Sequence, residues 1–497
     1  MNPGMKTESP DGNAAISNSD GADAKRRWLT LTTLCLAVLV AQLDTGVVYL
    51  ATRAIGDDLK AGINALQWIV DSYNLVYAVL LLTGGLLSDL YGRRRVFMAG
   101  AGVFTIASLL CAAAPSASIL IVGRALTGIG AAFLIPSSLA IIRVVWRDPA
   151  ERGRALGIWA ACNGLAMAIG PTLGGLLIGH FGWRSIFLVV IPVSTATLLL
   201  AVPAIPESSD PQGRHFDGLA QVFGAVALGG FAFAAIQSHG VPKLALVVFL
   251  VAILALALFI RIEARKGSVA LVPLDIFRSR TFCGAVTATA GMTFGMYGVL
   301  FLLPLAWLGT GRLGTLGAGI ALIPMSLVFV AVSPFSGALT ERYGARVMAA
   351  GGVAIIGVGL LLIAGGAGFS SIAPSEAGLI LTGLGMGIAT GPLMGSAVGA
   401  VAAARSGTAS ALINVARMVG ATVGVAVLGA VFAMAGGGAD GLRTAMLIGG
   451  AIQFYATARY IPIYLEQRRA AIDPIVAAWR IAAAVRNLSF VSAKRQS

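Results

Sequence analysis

Long apolar runs separated by short polar loops occupy most of this sequence. Each run holds about 20 residues, the length that a helix needs to cross the ~30 Å hydrocarbon core of a bilayer. The pattern predicts an all-α, polytopic membrane protein with about fourteen spans. The predicted spans are residues 29–50, 65–87, 95–113, 117–141, 153–178, 183–202, 218–237, 243–262, 280–303, 314–337, 346–367, 375–398, 408–431 and 442–463.

The two ends of the chain depart from this pattern. Residues 1–27 are polar and rich in Ser, Asp, Asn and Gly, which predicts a disordered cytoplasmic N-terminal tail. The fourteenth run is atypical, because its second half carries Arg459 and Pro462 among fewer apolar residues. It is a diverged helix, an amphipathic surface segment or the product of a shifted reading frame. Residues 466–497 are expected to form a cytoplasmic C-terminal tail.

A short charged segment occurs twice, half a chain apart. GGLLSDLYGRRR (Gly84–Arg95) follows the second span, and SGALTERYGAR (Ser336–Arg346) follows the tenth. The repeat predicts two six-helix units, residues 28–203 and 280–465, with two linker spans and their loops inserted at residues 204–279. Parallel six-helix repeats with a substrate path between them are the architecture of many secondary transporters.

Composition and charge agree with a membrane protein. Hydrophobic residues make up 57% of the chain and charged residues 11%, whereas soluble domains carry about 25% charged residues. The net charge of +14 comes from Lys and Arg in short loops, which indicates membrane topology rather than nucleic-acid binding. Both termini are predicted to be cytoplasmic, because that orientation puts most of these residues inside. The absence of a GxxxxGK[ST] phosphate loop argues against ATP as the energy source.

Five segments, in order along the chain, carry transporter motifs. A first-loop motif is matched by Gly85, Leu87, Asp89, Gly92, Arg93 and Arg94. A fourth-span motif is matched by Leu120, Arg124, Gly128 and Gly130, and a fifth-span antiporter motif by Gly164, Gly170, Pro171, Gly174 and Gly175. The remaining two are Leu43–Thr45 and Trp183–Pro192. Together they resemble the major facilitator superfamily, and within it the fourteen-span drug–proton antiporters.

Three features depart from the pattern of that family. Ala51–Arg53 stands where the family usually has Ala-Leu-Pro. The second copy of the first-loop motif has Glu341 as its acid and Ala345 before the arginine. The segment after Gly450 does not resemble the last span of the family.

The resemblance implies a secondary active transporter that exports amphipathic drugs or toxic compounds, cationic or aromatic, in exchange for protons by alternating access. It implies the major facilitator fold, with two six-helix bundles plus two extra central helices. It also implies a multi-pass protein of a bacterial-type plasma (inner) membrane. The expected partners are small-molecule substrates, protons and the lipid bilayer. No cofactor is expected, since the proton gradient supplies the energy, and we expect a monomer.

Acids inside the predicted spans are the candidates for proton coupling, because charge within hydrocarbon is costly and usually functional. Asp44 and Asp71 lie deepest. Leu43, Val47 and Val48 surround Asp44 and disfavour its charged form, so it can load and release a proton, and its anion can attract a cationic drug. Alternatively, Asp44 pairs with an arginine or caps a broken helix, and Asp71 is solvated near the outer end of its span.

Two arginines also lie within predicted spans. Arg124 needs a carboxylate or carbonyl partner, which Asp44 or Asp71 can supply. The resemblance implies that Arg124 takes part in proton transfer, with a purely structural ion pair as the alternative. Arg417 lies nearer the cytoplasmic side, where its side chain can snorkel to water.

Further candidate residues follow from spacing and from the motifs. Tyr73 and Tyr77 lie four residues apart on one helix face, and they line the cavity or pack within the bundle. The first-loop motif and its copy are predicted to form a cytoplasmic gate. The gate residues are Gly85, Asp89, Gly92, Arg93, Arg94, Glu341, Gly344 and Arg346. The fifth-span motif predicts a kinked joint between moving helices, or a kinked packing helix alone.

Enzymatic and metal-dependent functions are not supported. His180, His215 and His239 share no metal-binding spacing, and the four cysteines lie singly in apolar runs. No catalytic set of side chains is recognisable, so we expect neither an enzyme nor a metal protein. A transport-inactive membrane sensor or scaffold and a proton-coupled uptake symporter are the alternative functions.

Overall fold

Long α-helices make up almost all of the computed structural model, which describes residues 10–209, 217–238, 241–266, 270, 272, 274–401 and 406–460. The helices are α1 (Pro10–Leu59), α2 (Ile63–Tyr91), α3 (Arg93–Ala112), α4 (Ala117–Val145), α5 (Pro149–Phe181), α6 (Ser185–Leu188), α7 (Val190–Ala204), α8 (Gly218–Ile236), α9 (Pro242–Lys266), α10 (Arg280–Gly309), α11 (Thr315–Val332), α12 (Ser336–Tyr343), α13 (Ala345–Gly366), α14 (Ala373–Gly399), α15 (Ser406–Met434) and α16 (residues 438–460). Short 3₁₀ helices occupy Leu274–Arg278 and Ser333–Phe335.

Within the described residues, 12 helical stretches are long and apolar enough to cross a membrane. They include α6 with α7 as one stretch, and α11 with α12 as another. The prediction of an all-α, multi-pass membrane protein is confirmed. The predicted count of about fourteen spans is not confirmed, since α5 and α16 are helical over the expected residues but are not among the 12.

The helix ends are fixed by local side-chain chemistry. Ser116 accepts a hydrogen bond from the Ile119 amide at the start of α4, and Ser279 does the same for the Phe282 amide in α10. Asp217 caps α8 and also pairs with a lysine at the end of α9. Partial burial acts to raise the pKa of Asp217, but these two contacts outweigh it and hold the pKa below its usual value.

Two equivalent turns lie at one end of the bundle. Gly92 alone separates α2 from α3, and Gly344 alone separates α12 from α13. Their φ angles are +107° and +87°, in a region that favours glycine. We call this end the motif face, and the other end, which holds the turns at Lys60 and Gly311, the opposite face.

The chain forms two helical halves that meet along a seam. In the N-terminal half, α1 packs on α5, and α4 packs on both α2 and α3; in the C-terminal half, α13 packs on α14, and α10 packs on α15. The seam is formed by α2 against α15, α5 against α11, and α1 against α10. The linker helices α8 and α9 pack together, and α8 also lies on α2 and α15.

The last described helix is part of the C-terminal half. The side chain of Gln453 on α16 is buried and donates a 2.5 Å hydrogen bond to the Gly291 carbonyl of α10. Gly357 of α13 lies against Gln453 and Phe454. Of the alternatives for this segment, a helix is therefore observed up to residue 460. The rest of the predicted last span and the predicted tail at residues 466–497 lie outside the described residues.

The predicted disordered N-terminal tail is wrong for residues 10–27. The structure continues α1 back to Pro10, well before the first apolar run begins. Proline suits the first turn of a helix, because that turn needs no amide donor there. The alanines that follow favour continuation of a helix, although they add nothing to hydrophobic periodicity. Residues 1–9 lie outside the described part of the chain.

Close helix packing in the N-terminal half depends on Gly84. A Cβ atom at this position would collide with the backbone carbonyl of Ala132 on α4. We expect Gly84→Ala to destabilise the protein by roughly 1–3 kcal/mol through overpacking and to lower the melting temperature in detergent. Gly102→Ala is the matched control, because nothing lies within 4 Å of its added Cβ. Equal melting temperatures for the two variants would contradict this packing.

Candidate functional site

A buried ion pair joins α1 to α4 inside the N-terminal half. Asp44 is 3% exposed and Arg124 is 1% exposed, and Arg124 Nη1 lies 2.5 Å from Asp44 Oδ2. The guanidinium also donates to the Ile69 carbonyl at 3.2 Å and to the Thr127 hydroxyl at 3.4 Å. Its central carbon lies 4.5 Å from the centre of the Tyr73 ring. Of the two predicted acidic partners for Arg124, the structure selects Asp44.

The buried guanidinium of Arg124 has several partners. An arginine is charged at all accessible pH values, so inside hydrocarbon it must be paired and hydrogen-bonded. The fork of Arg124 reaches a carboxylate, a carbonyl, a hydroxyl and an aromatic face at once. The other carboxylate oxygen of Asp44, Oδ1, is buried and has no hydrogen-bond partner among the described residues. Only one oxygen of this carboxylate is therefore engaged in a hydrogen bond among the described residues.

Asp71 has a different environment at the seam. Its side chain is 0% exposed, and neither carboxylate oxygen has a hydrogen-bond partner in the described part of the chain. Asp71 lies within electrostatic reach of Tyr49 on α1, and the Tyr49 hydroxyl accepts a hydrogen bond from Asn74. Sequence reasoning allowed a solvated acid near the end of the span, but Asp71 is fully buried. An unpaired, buried carboxyl is stable only in its protonated form or with a transient partner.

The two predicted cavity tyrosines have different positions. Tyr73 is buried beneath Arg124, with its hydroxyl 3.4 Å from the Ala41 carbonyl, so it packs within the N-terminal half. Tyr77 is only partly buried, and its ring centre lies 6.1 Å from that of Tyr73. Two other tyrosines, Tyr49 and Tyr297, pair across the seam with ring centres 5.8 Å apart. Sequence analysis missed both, because no motif marks them.

Arg417 lies near the seam. It is half-buried on α15, and Tyr77 of α2 and Tyr297 of α10 lie within electrostatic reach of its guanidinium. Its Nη1 lies 3.5 Å from Oδ1 of Asn414, while its Nε is buried without an acceptor among the described residues. The expectation that Arg417 snorkels to water stays a prediction, because the side chain as a whole is only half-buried. Depth along a helix did not reveal which face the side chain occupies.

The seam is closed at the opposite face. Gln67 of α2 donates hydrogen bonds of 3.0 Å to the carbonyls of Val425 and Ala426 on α15. The backbone of Leu316 on α11 lies 3.2 Å from the Cβ position of Gly175 on α5. These contacts join the two halves near the ends of their helices.

The predicted gate residues lie together at the motif face. Asp89 forms an ion pair with Arg93 at 2.9 Å. The amide of Arg93 donates to the Ser208 carbonyl at 2.8 Å, and the amide of Arg94 donates to Glu207 at 3.1 Å. The first-loop motif is therefore attached to the segment after α7. Sequence analysis missed Glu207, which is more than a hundred positions away and belongs to no motif.

The remaining gate residues lie nearby or in the second copy. Gly85 lies on α2, with its Cβ position 3.6 Å from Pro136 of α4. Arg346 donates to the Thr281 hydroxyl at 3.4 Å, and Glu341 is exposed on α12. Gly344 forms the second turn, equivalent to the turn at Gly92.

The antiporter motif places α5 between the two halves. The Cβ position of Gly174 lies 2.6 Å from Val47 of α1, one turn after Asp44. Gly175, next to it, faces α11 of the other half. Gly170 lies near Leu43 and Val47 at 3.8–3.9 Å. The surroundings of Gly164 and Pro171 lie outside the described residues.

Few other side chains in the described part of the chain are candidates for metal binding or catalysis. No group of three or more His, Cys, Asp or Glu side chains there could hold a metal ion. His180 is exposed on α5, and the four cysteines are free thiols. His215 and His239 lie outside the described residues. Arg53, the departure from the family pattern, pairs with Asp57 at 3.0 Å on the opposite face.

Comparison with known proteins gives a consistent family. Residues 34–425 match the sequence profile of the Major Facilitator Superfamily. The chain is 36% identical over 416 residues to the multidrug resistance protein Stp of Mycobacterium tuberculosis, covering 82% of this chain and 76% of that protein. It is 32% identical to the multidrug efflux pump LfrA of Mycolicibacterium smegmatis, covering 82% and 81%. It is 30% identical to the tetracenomycin C resistance and export protein of Streptomyces glaucescens, covering 86% and 80%.

The two buried acids should differ in their effect on stability. Asp44→Asn leaves the buried charge of Arg124 unpaired, so we expect a loss of about 3–5 kcal/mol. Asp71→Asn removes no hydrogen bond of the described structure, so its melting temperature should equal or exceed that of the wild type. Thermal unfolding of both purified variants in detergent measures the difference. A stable Asp44→Asn variant would contradict the pairing.

The seam should open more readily when Gln67 is shortened. Gln67→Ala removes two hydrogen bonds between the halves at the opposite face. We expect spin labels at Lys60 and Thr310, in a cysteine-free background, to show an increased population of long distances. Asn64→Ala is the matched control, because Asn64 bonds to Gln237, directly after α8, and not across the seam. An unchanged distance distribution in Gln67→Ala would contradict this role.

Proposed function

Because the chain belongs to the Major Facilitator Superfamily and resembles multidrug efflux proteins over most of its length, we propose that it is a secondary active transporter that exports amphipathic drugs in exchange for protons. The observation that carries the proposal is the buried Asp44–Arg124 ion pair. A bundle that needed only stability would gain as much from apolar side chains at these positions. An ionisable pair inside the span region is instead suited to moving a proton.

Proton exchange is assigned to Asp44, Asp71 and Arg124 together. Arg124 holds one oxygen of Asp44 and leaves the other buried and unpaired. Asp71 has no partner for either oxygen in the described part of the chain. Protonation of these carboxyls removes negative charge from the interior of the N-terminal half at Asp44 and from the seam at Asp71, and deprotonation restores it, so the proton state biases the packing of the two halves. The energy source is the proton gradient, and no cofactor takes part.

Alternating access is supported by where the halves touch. The seam is closed at the opposite face by Gln67 and by the contact of Gly175 with α11. With the motif face in the cytoplasm, as the charge distribution predicts, this conformation is sealed from the outside. The gate residues Asp89 and Arg93 then belong to the cytoplasmic side, where they would engage in the outward-open conformation.

Fourteen spans complete this topology. We assign α5 and α16 as spans in addition to the 12 stretches already described. The helix α5 contacts α1 in one half and α11 in the other, and α16 packs against α10 and α13. Two six-helix halves with the linker helices α8 and α9 then lie in the plasma (inner) membrane, and an even number of spans puts both termini in the cytoplasm.

The substrates are proposed to be amphipathic compounds, cationic or aromatic in character. Aromatic compounds are favoured by the tyrosines at the seam, Tyr49, Tyr77 and Tyr297. Arg53, which departs from the family pattern, forms an exposed ion pair with Asp57 on its own helix.

Transport in proteoliposomes with an acidic lumen tests the proposal. We expect wild-type protein to accumulate rhodamine 123 or fluorescein, counted by filtration with the membrane potential clamped, while the lumen becomes more alkaline. Asp71→Asn should lose at least about tenfold of this accumulation, because its side chain cannot release a proton. Asp44→Asn should lose this accumulation too, but it also destabilises the protein. Asp71→Asn is therefore the better test, because we expect this variant to keep its fold.

Each alternative function has its own signature in this assay. A scaffold would leave lumenal pH and probe content unchanged when probe is added. An uptake symporter would accumulate probe only when the acid is outside. Full accumulation by Asp71→Asn would contradict the assignment of Asp71, and either of the other two outcomes would contradict exchange.

A further inference from the structure

A positive charge that has no carboxylate partner among the described residues lies at the seam between the halves. Arg417 is carried by α15, which packs closely on α10 through Gly420 and Gly424. Two turns further along the helix, Val425 meets Gln67 in the closed part of the seam. Arg417 therefore lies on the motif-face side of the closure.

The guanidinium of Arg417 is incompletely satisfied. Its described hydrogen bond goes to the neutral amide of Asn414, at the long distance of 3.5 Å. Its Nε is buried and has no acceptor in the described part of the chain. No ion pair joins Arg417 to an acid among the described residues, and the buried acid Asp44 is paired with Arg124 instead. A buried guanidinium donor without an acceptor leaves a place for an anionic oxygen.

The groups around Arg417 are aromatic. Tyr77 of the N-terminal half and Tyr297 of the C-terminal half both lie within electrostatic reach of its guanidinium. Tyr297 is itself extended by the ring of Tyr49, 5.8 Å away. Two tyrosines and a guanidinium, contributed by both halves, suit an aromatic molecule with one acidic substituent. Arginine is well matched to carboxylates because its donors lie in a planar fork.

We propose that Arg417 binds the anionic group, a carboxylate or a phenolate, of an aromatic substrate held between Tyr77 and Tyr297. This rests on the proposed export function and narrows its substrate class. An aromatic acid gains an ion pair at this point, whereas an aromatic cation meets a like charge. Both classes stack on the tyrosines, so the charge at Arg417 sets the preference between them.

Binding of two dyes with the same xanthene core tests the proposal. Fluorescein is anionic and rhodamine 123 is cationic, and both can be titrated by fluorescence anisotropy against full-length protein in nanodiscs. We expect wild-type protein to bind fluorescein more tightly than rhodamine 123. Arg417→Gln should weaken fluorescein binding about tenfold or more, as for loss of a charge-assisted hydrogen bond, and should leave rhodamine 123 binding unchanged or tighter. Arg417→Lys should fall between the two.

The controls separate this proposal from misfolding and from the export function. Arg143→Gln removes an exposed arginine on α4 and should change neither affinity. Equal fluorescein affinity in wild type and Arg417→Gln, equal weakening of both dyes, or no fluorescein binding by the wild type would each overturn the proposal. Transport of rhodamine 123 with no binding of fluorescein would uphold export and reject the anion site. Charge-selective binding without transport would uphold the anion site and reject export.

Discussion

The ion pair between Asp44 and Arg124 is the interaction on which the interior of the N-terminal half depends. It brings α1 and α4 together around two charges that hydrocarbon would not accept singly. The same guanidinium fixes Ile69 and covers Tyr73, so α2 is positioned by it as well. Arg124 thus connects three helices, α1, α2 and its own helix α4. In the proposed export function, a proton that reaches Asp44 changes the strength of this arrangement, and protonation is linked to helix packing in this way.

Close approach of helices provides the second constraint. Glycines at Gly84, Gly174 and Gly175 let backbones or branched side chains of neighbouring helices come within contact distance. Gly174 faces α1 near Asp44, and Gly175 faces α11 across the seam. The helix α5 therefore touches the region of the ion pair on one side and the other half of the protein on the other. A change at the pair can reach the seam through a single helix.

Much of the fold could be predicted from the sequence, because apolar runs and the repeated Gly92 and Gly344 turns are local signals. The partner of Arg124 was narrowed to two acids by the rule that a buried arginine must be paired, but only the fold shows that Asp44 is the partner. Glu207 could not be found, since its contacts to the first-loop arginines depend on where a distant loop lies. The surroundings of Arg417 could not be predicted, because sequence position gives depth in the membrane but not the helix face that is occupied. The helical start of α1 was missed, since residues 10–27 carry no apolar periodicity.

The central claim is that a pH gradient and a substrate gradient are exchanged through this chain. Wild-type proteoliposomes with equal probe concentrations on both sides of the membrane test it directly. A pH gradient imposed alone should drive net accumulation of probe on the acidic side, and reversing the gradient should reverse the direction of flux. Probe that stays equally distributed, or that accumulates on the alkaline side, would contradict proton exchange.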